Sequence, residues 1–395
     1  MQATTISQKK ALDCSYYAIV ISCICALIQL YALPRDMLSW ISLSNRVLMI
    51  IWIVFVGWAV LKKVEQRFPA QLSGALALVI MSAMAYFVAS LDSPSQAVSN
   101  GLKLMGFLIL PLMLLYSTVF QIDSRAKTTV LVFNLLASLV FIDLYNSDKR
   151  YIFEGDYEII NLDVITLGYS NPNRTAMYLF LCTVCLVAGV FYFKNVLLKA
   201  VFAADAACMA WFLWQTGART AMLLLVVFGV LVWISGKREI PKIWIIIALF
   251  VPLLYILLLP LAPTWTFLGE ALFNGREEVY NRYFNNLTFR SFLLGNMNRF
   301  QFANLHNGYL AIAASVGVPA CIGYAHLLKT CMQINNPKQN APAFERVAFI
   351  GFLCSVMYTG AEAAFFVGGS TYAMLVFSVC VLFAKARFVS VEEGI

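Results

Sequence analysis

Residues 243–262 are IWIIIALFVPLLYILLLPLA, a run of 20 residues without a charged side chain. An α-helix rises about 1.5 Å per residue, so this run is about as long as the hydrocarbon core of a bilayer is thick. Comparable runs recur along the whole chain, in which 61% of the 395 residues are hydrophobic and only 12% are charged. Soluble domains carry about 25% charged residues. The sequence therefore predicts an all-α integral membrane protein.

Hydrophobicity predicts a single polytopic membrane domain over residues 1–395, with about 12 transmembrane helices. With the N-terminus in the cytoplasm, lysine-rich short loops lie on the cytoplasmic side, as the positive-inside rule requires. The C-terminus is then cytoplasmic too, and two long loops at about 146–174 and 263–305 lie on the opposite side. The larger loop separates the ninth and tenth spans. The predicted spans are 16–33, 47–61, 71–91, 101–120, 129–145, 175–193, 196–215, 219–235, 243–262, 307–328, 347–367 and 369–384.

Basic residues are divided unevenly between the two sides of the predicted membrane. The long-loop side carries almost only arginine, although the positive-inside rule disfavours positive charge there. Arginine has a planar fork of donors that suits phosphate and carboxylate groups. We expect either an anionic ligand on that side or ion pairs with acidic residues of the same loops. Because the other basic residues orient the protein in the membrane, the net charge of +8 does not indicate a nucleic-acid partner.

The tenth predicted span opens with His306 and Asn307, directly after the larger loop. A helix continued from this point would place His306, Leu310 and Gly317 along one face. A neutral imidazole at a membrane surface that also presents guanidinium groups is suited to general-base chemistry on an anionic, lipid-linked substrate. The alternative is an interfacial histidine bonded to a loop carbonyl.

Two arginines stand at turns beside predicted spans. Arg219 lies in the very tight turn 216–220, close to the hydrocarbon, where a charge is costly unless it is paired or functional. Arg174 ends the turn Asn171-Pro172-Asn173-Arg174, and an anchor flanking the span is its alternative role. Structural snorkelling is the alternative for Arg219.

Arg276 follows Gly275 in the larger loop. Gly275 is expected to break the chain ahead of a short helix that carries Arg276, Tyr280 and Tyr283 on one face. The neighbouring Glu277 and Glu278 are alternative partners for Arg276.

Acidic residues within predicted spans are the remaining candidates. Glu362 lies among small residues near the outer end of its span, where it could orient His306 or pair with an outer arginine. Asp143 and Asp205 also fall within spans, and a proton or ion path is the alternative reading of all three acids. The sequence has no phosphate-binding loop, dinucleotide-binding glycine motif or zinc-protease motif, and we expect neither a metal nor a cofactor.

Taken in order, these motifs resemble the bacterial O-antigen ligase family, part of the O-antigen ligase/polymerase superfamily. His306, Leu310 and Gly317 match the HxxxLxxxxxxG pattern of that family. The small-residue turn with Arg219 resembles a turn that follows one of the family's spans, and Arg276 resembles the arginine of its large periplasmic loop. The resemblance extends over nearly the whole chain, although its large loop is short and Ala218 stands where a serine is common.

The resemblance implies transfer of an O-antigen glycan from undecaprenyl pyrophosphate to a sugar hydroxyl of lipid A–core. The reaction would take place at the periplasmic face of the bacterial inner membrane, among membrane lipids, and would complete lipopolysaccharide. It would invert the anomeric centre without a metal or cofactor. The implied site comprises His306 as catalytic base, Arg219, Arg276 and Arg174 as pyrophosphate ligands, and Glu362, Asn307, Leu310 and Gly317 in support.

Sister activities remain open at this point. An O-antigen polymerase would use the same donor with a glycan acceptor, and a protein O-oligosaccharyltransferase would use a protein acceptor. A transporter or flippase for an anionic lipid or solute is the alternative outside enzymes, with Asp143, Asp205 and Glu362 as path residues.

Overall fold

The structure is a computed structural model of the chain, and it describes residues 2–64, 73–119, 122–147, 164–169, 171–258, 266–267, 270–271, 276–298, 305–362 and 369–384. Fifteen α-helices lie within these ranges. The first nine are α1 (Gln2–Ala32), α2 (Leu38–Val64), α3 (Ser73–Asp92), α4 (Ala97–Val119), α5 (Ser124–Asn146), α6 (Pro172–Tyr192), α7 (Val196–Gln215), α8 (Arg219–Ser235) and α9 (Lys242–Leu258). A two-residue antiparallel ladder follows, β1 (Thr266–Phe267) with β2 (Glu270–Ala271). The remaining helices are α10 (Arg276–Asn285), α11 (Phe289–Leu294), α12 (Gly308–Val316), α13 (Val318–Asn335), α14 (Ala343–Tyr358) and α15 (Gly369–Phe383).

The helical character of the chain is confirmed, and several of its helices suit a membrane. In the described ranges, six helices are long and apolar enough to cross a bilayer: α1, α3, α4, α5, α6 and α7. Helices α2, α8, α9 and α15 contain shorter apolar stretches of 10–17 residues. The count of twelve spans and their orientation stay predictions.

Two predicted spans differ from the helices observed. The span predicted at 307–328 consists of two helices, α12 and α13, which meet at Gly317. The span predicted at 347–367 ends as a helix at Tyr358, where the chain enters a turn. Both departures place irregular backbone beside the candidate site residues.

Helix α6 lies at the centre of the fold. Its apolar stretch is 78% buried, against 28% for the following helix α7. It packs against α5, α7, α14 and α15, and its thiols Cys182 and Cys185 are fully buried among them. Both cysteines therefore contribute to packing at the centre of the fold. Helix α7 turns large side chains such as Trp211 and Trp214 outward, which suits a lipid-facing position.

The break between α12 and α13 is the point at which α11 packs. Gly317 has φ +97°, and a Cβ atom there would lie 2.1 Å from the carbonyl oxygen of Leu293. Gly295 follows α11 with φ +67°, and its Cβ would lie 2.3 Å from the carbonyl carbon of Ser315. Only glycine accepts both the backbone conformation and the close approach at these positions. The two glycines therefore lock the larger loop onto the helix that begins at the candidate site.

Candidate functional site

His306 lies just outside α12 and not on its face. Asn307 is the N-cap of this helix, and its side-chain Oδ1 accepts a bond of 3.0 Å from the backbone N–H of Leu310. His306 precedes the cap with φ +46°, in the left-handed region. Gly317 ends the helix. The predicted face of His306, Leu310 and Gly317 is therefore wrong, because an asparagine cap and a left-handed glycine confine the helix to the residues between them.

Asn307 joins three separate parts of the fold at this point. Its Nδ2 donates to the carbonyl oxygens of Pro252 in α9 and Gly360 beyond α14, both at 3.0 Å. The backbone N–H of Gly308 donates to the carbonyl of Thr359 at 2.7 Å. The Asn307 side chain is fully buried. This residue therefore fixes the turn that carries Glu362 against the segment that carries His306.

Arg276 reaches the same turn from the larger loop. It begins α10 as predicted, and the helix buries Tyr280 and Tyr283 on one face. The Arg276 Nη1 donates to the Ala361 carbonyl at 2.7 Å and to the Tyr255 hydroxyl at 3.2 Å. Gly275, expected to break the chain before this helix, lies outside the described residues.

Glu362 is the acidic partner of Arg276. Its Oε1 lies 3.2 Å from the Arg276 Nη2, and the two side chains are only 9% and 15% exposed. Glu278, one alternative partner suggested by the sequence, instead pairs with Arg282 one turn further along α10. Glu362 therefore pairs with an arginine of the larger loop, which is one of the two roles that the sequence suggested for it.

The surroundings of α10 shift the pKa values of its ionisable groups. Burial lowers the pKa of Arg276, but attraction to the Tyr255 oxygen and the Glu362 carboxylate outweighs burial and raises it above its ordinary value. Burial raises the pKa of Tyr280, and it raises the pKa of Tyr283 to about 12. The region therefore holds a permanent cation beside phenols that stay neutral.

His306 completes a group of three residues, the His306–Glu362–Arg276 cluster. The His306 Nδ1 lies 3.6 Å from the Glu362 Oε2, slightly beyond hydrogen-bond length. The imidazole is the accessible member of the cluster, with 32% of its side chain exposed. One carboxylate therefore lies between a buried guanidinium and an accessible imidazole, which is an arrangement that can orient a general base.

Arg174 lies close to the end of α14, the helix that precedes Glu362. It is in the first turn of α6, which Asn171 caps through a bond of 2.8 Å to the Asn173 N–H. The Tyr358 hydroxyl donates to the Asn173 carbonyl at 3.3 Å and so ties this turn to the end of α14. Arg174 also interacts electrostatically with Tyr372, as Glu362 does. These contacts place the start of α6 beside the end of α14, and convergence of Arg174 on the cluster stays a prediction.

Arg219 begins α8 after a tight turn, as the sequence predicted. Gly217 in this turn has φ +64°, and the Thr216 hydroxyl accepts the Ala218 N–H at 3.3 Å. The Arg219 side chain is half-buried. Helix α8 packs against α14, the helix that precedes Glu362. Convergence of Arg219 on the cluster stays a prediction.

The two other acids within spans each have a structural partner. Asp143 pairs with Arg35 at 2.5 Å, and the Arg35 guanidinium also lies over the Tyr31 ring. Asp205 accepts a hydrogen bond of 2.8 Å from the Ser138 hydroxyl. These contacts link the turn after α1 to α5, and α5 to α7, so both acids contribute to packing between elements.

Sequence reasoning missed Tyr255 and the Ala361 carbonyl as ligands of Arg276. Tyr255 stood out in principle, because its hydroxyl is the only polar tip in the second half of the apolar run 243–262. The carbonyl had no signal in the sequence, since it becomes available only where α14 stops. No family model, no curated protein and no solved structure matches this chain.

Proposed function

We propose that this protein is a membrane glycosyltransferase of the O-antigen ligase type, which moves a glycan from undecaprenyl pyrophosphate to a sugar hydroxyl of lipid A–core. The observation that carries the proposal is the His306–Glu362–Arg276 cluster. It combines a base, its orienting carboxylate and a permanent cation at the end of apolar helices. This combination suits a lipid-linked pyrophosphate donor at the surface of a membrane.

In this proposal His306 takes the proton from the acceptor hydroxyl as its oxygen attacks the anomeric carbon. The bond between that carbon and the pyrophosphate oxygen breaks on the opposite face, so the anomeric centre inverts. The electron pair leaves with the pyrophosphate, and the hydroxyl proton ends on the imidazole. Glu362 stabilises the imidazolium that forms, at the 3.6 Å separation already present.

Arg276 stabilises the charge that develops on the leaving pyrophosphate. A guanidinium has five N–H donors. The described bonds of Arg276 use both protons of Nη1 and one of Nη2. Its Nε–H and its second Nη2–H are not used by these bonds and suit phosphate oxygens. Arg174 and Arg219 are proposed as further pyrophosphate ligands.

The experiment is complementation of a strain that lacks its lipopolysaccharide ligase. His306→Asn is the informative variant, because asparagine tolerates the left-handed backbone at this position better than alanine does. His326→Asn, which changes the other histidine of the chain, is the matched control. Membrane levels are compared first, and the lipopolysaccharide is then separated on a gel.

We expect the wild type and His326→Asn to restore O-antigen on lipid A–core, and His306→Asn to lose transfer by a factor of about 100 or more. Transfer by His306→Asn at the wild-type level would overturn the role of the histidine. If the wild type fails while polyprenyl-linked glycan accumulates, the acceptor is a growing glycan or a protein. If no glycan intermediate accumulates, a transport function becomes the better account.

A further inference from the structure

A long apolar groove runs between α9 and α13, on the surface of the helix bundle. Its volume is about 510 Å³. Ile245, Leu249, Phe250 and Leu253 of α9 form one wall, and residues of α13 together with Tyr309 of α12 form the other. Large apolar side chains on both walls are exposed, with Ile246 58% and Ile322 65% accessible. The groove therefore opens onto the exposed apolar surface of the bundle, which would face lipid in a membrane.

One end of this groove is basic. Lys242 is the first residue of α9, and Lys329 lies in the second half of α13; both are exposed and both line the groove, together with Gln333. Neither lysine forms an ion pair within the described ranges. The acid nearest to Lys242 in the chain is the exposed Glu239, in the loop before α9, which is preceded by Lys237 and Arg238.

Hydrogen bonds between two loops fix the geometry of the basic end. The loop before α9 is tied to the loop after α13 by a bond of 3.1 Å from Asn336 Nδ2 to the Ile240 carbonyl. A second bond, 3.2 Å long, runs from the Asn340 N–H to the Lys237 carbonyl. These bonds hold the starting residue of α9 beside the second half of α13. The two ammonium groups therefore flank the same end of the groove.

The length of the groove matches one leaflet of a bilayer. Lys242 and Leu253 mark its extent on α9, and a helix rise of about 1.5 Å per residue gives roughly 17 Å between them. This distance is about half of the 30 Å hydrocarbon thickness. A chain lying in the groove thus extends from one membrane surface to near the middle of the bilayer.

We propose that this groove binds an anionic phospholipid of the leaflet next to Lys242 and Lys329. The lipid phosphate lies between the two ammonium groups, and one acyl chain follows the apolar walls toward Tyr309. Basic pockets between membrane helices recognise anionic head groups in this way. The lipid would brace α9, whose Pro252 and Tyr255 contact Asn307 and Arg276, so its binding stabilises the candidate site without entering it.

A polyprenyl chain is the competing occupant, because the far end of the groove approaches Tyr309, two residues after the helix cap. That chain would leave Lys242 and Lys329 without a ligand at the opposite end. The charge at this end therefore favours a lipid with its head group there. This inference is independent of the proposed glycan transfer, since it concerns a bound membrane lipid.

The test is native mass spectrometry of the full-length protein, titrated separately with phosphatidylglycerol and phosphatidylcholine. We expect the wild type to retain phosphatidylglycerol preferentially. The double variant Lys242→Gln/Lys329→Gln should lower that preference at least about 5-fold, since each basic residue near an anionic head group strengthens its attraction. The matched control is Lys194→Gln/Lys199→Gln, which removes two exposed lysines away from the groove.

A second variant distinguishes the contribution of the apolar groove from that of the two lysine charges. Ala325→Phe fills the groove while leaving both lysines in place, and it should lower binding of both phospholipids. Equal phosphatidylglycerol binding by the wild type and the lysine double variant would overturn the proposal. So would displacement of the lipid by a polyprenyl phosphate that binds both proteins equally well.

Discussion

Arg276 and Glu362 are 86 residues apart in the chain, yet their side chains form an ion pair at 3.2 Å in which both partners are largely buried. Removing one partner of such a pair leaves an uncompensated charge, at a cost of about 3–5 kcal/mol. We expect Glu362→Leu and Arg276→Leu each to be strongly destabilised, and the double variant to lie closer to the wild type than either single variant. Thermal unfolding monitored with a thiol-reactive dye measures this, because buried cysteines such as Cys182 and Cys354 become reactive on unfolding.

Glu362→Gln is the matched control for this pair. It keeps an oxygen that can accept from Arg276 but removes the charge, so its stability should lie between those of the wild type and Glu362→Leu. Additive effects of the two leucine substitutions would show that the ion pair does not couple these residues.

Asn307 supports a second prediction, based on its three hydrogen bonds. Asn307→Ala removes the cap of α12 and both bonds from Nδ2 to the Pro252 and Gly360 carbonyls. With about 1 kcal/mol for each bond, the loss is on the order of 3 kcal/mol. Asn307→Asp keeps the capping oxygen but turns a carboxylate oxygen toward two carbonyls. We therefore expect Asn307→Asp to unfold at a temperature no higher than Asn307→Ala, and a near-native aspartate variant would contradict the assigned contacts.

Gly317 supports a third prediction, because its lack of a side chain lets α11 pack closely against this position. A methyl group at this position would overlap the Leu293 carbonyl in a backbone conformation that side chains disfavour. Gly317→Ala should lower stability by roughly 3 kcal/mol or more. Gly229→Ala in α8 is the control, because a Cβ atom there meets no atom within 4 Å. The control should be neutral or gain up to about 1 kcal/mol from better helix propensity, and equal effects at both positions would refute the packing argument.

Local features of the site were predictable from the sequence, whereas its long-range pairings were not. The start of α10 at Arg276 and the buried face with Tyr280 and Tyr283 follow from helical periodicity within ten residues. The choice of Glu362 over Glu277 and Glu278 does not follow, because three acids compete and the successful one is distant in the chain. A pairing between residues so far apart in the chain is decided by tertiary packing.

The error at His306 has a similar origin. Periodicity continued the helix through residues 306–317, because every position except the first two is compatible with an apolar helix. The helix stops at Gly317 because α11 packs against that point, and it starts after Asn307 because the Pro252 and Gly360 carbonyls hold the asparagine side chain. The end of the helix therefore depended on residues more than twenty positions away.

The buried tyrosine Tyr283 predicts how stability depends on pH. Burial raises the pKa of its phenol from 10.0 to about 12 in the folded protein. Above pH 10 the unfolded chain loses this proton while the folded chain keeps it, so stability falls as pH rises, by at most about 1.4 kcal/mol per pH unit for this group. Tyr283→Phe removes the titrating group and keeps the ring. Thermal unfolding at about pH 9 and about pH 11 should show a smaller loss in Tyr283→Phe than in the wild type. Other tyrosines titrate in both proteins and cancel in the comparison, so identical losses would show that the Tyr283 phenol ionises equally easily in the folded and unfolded states.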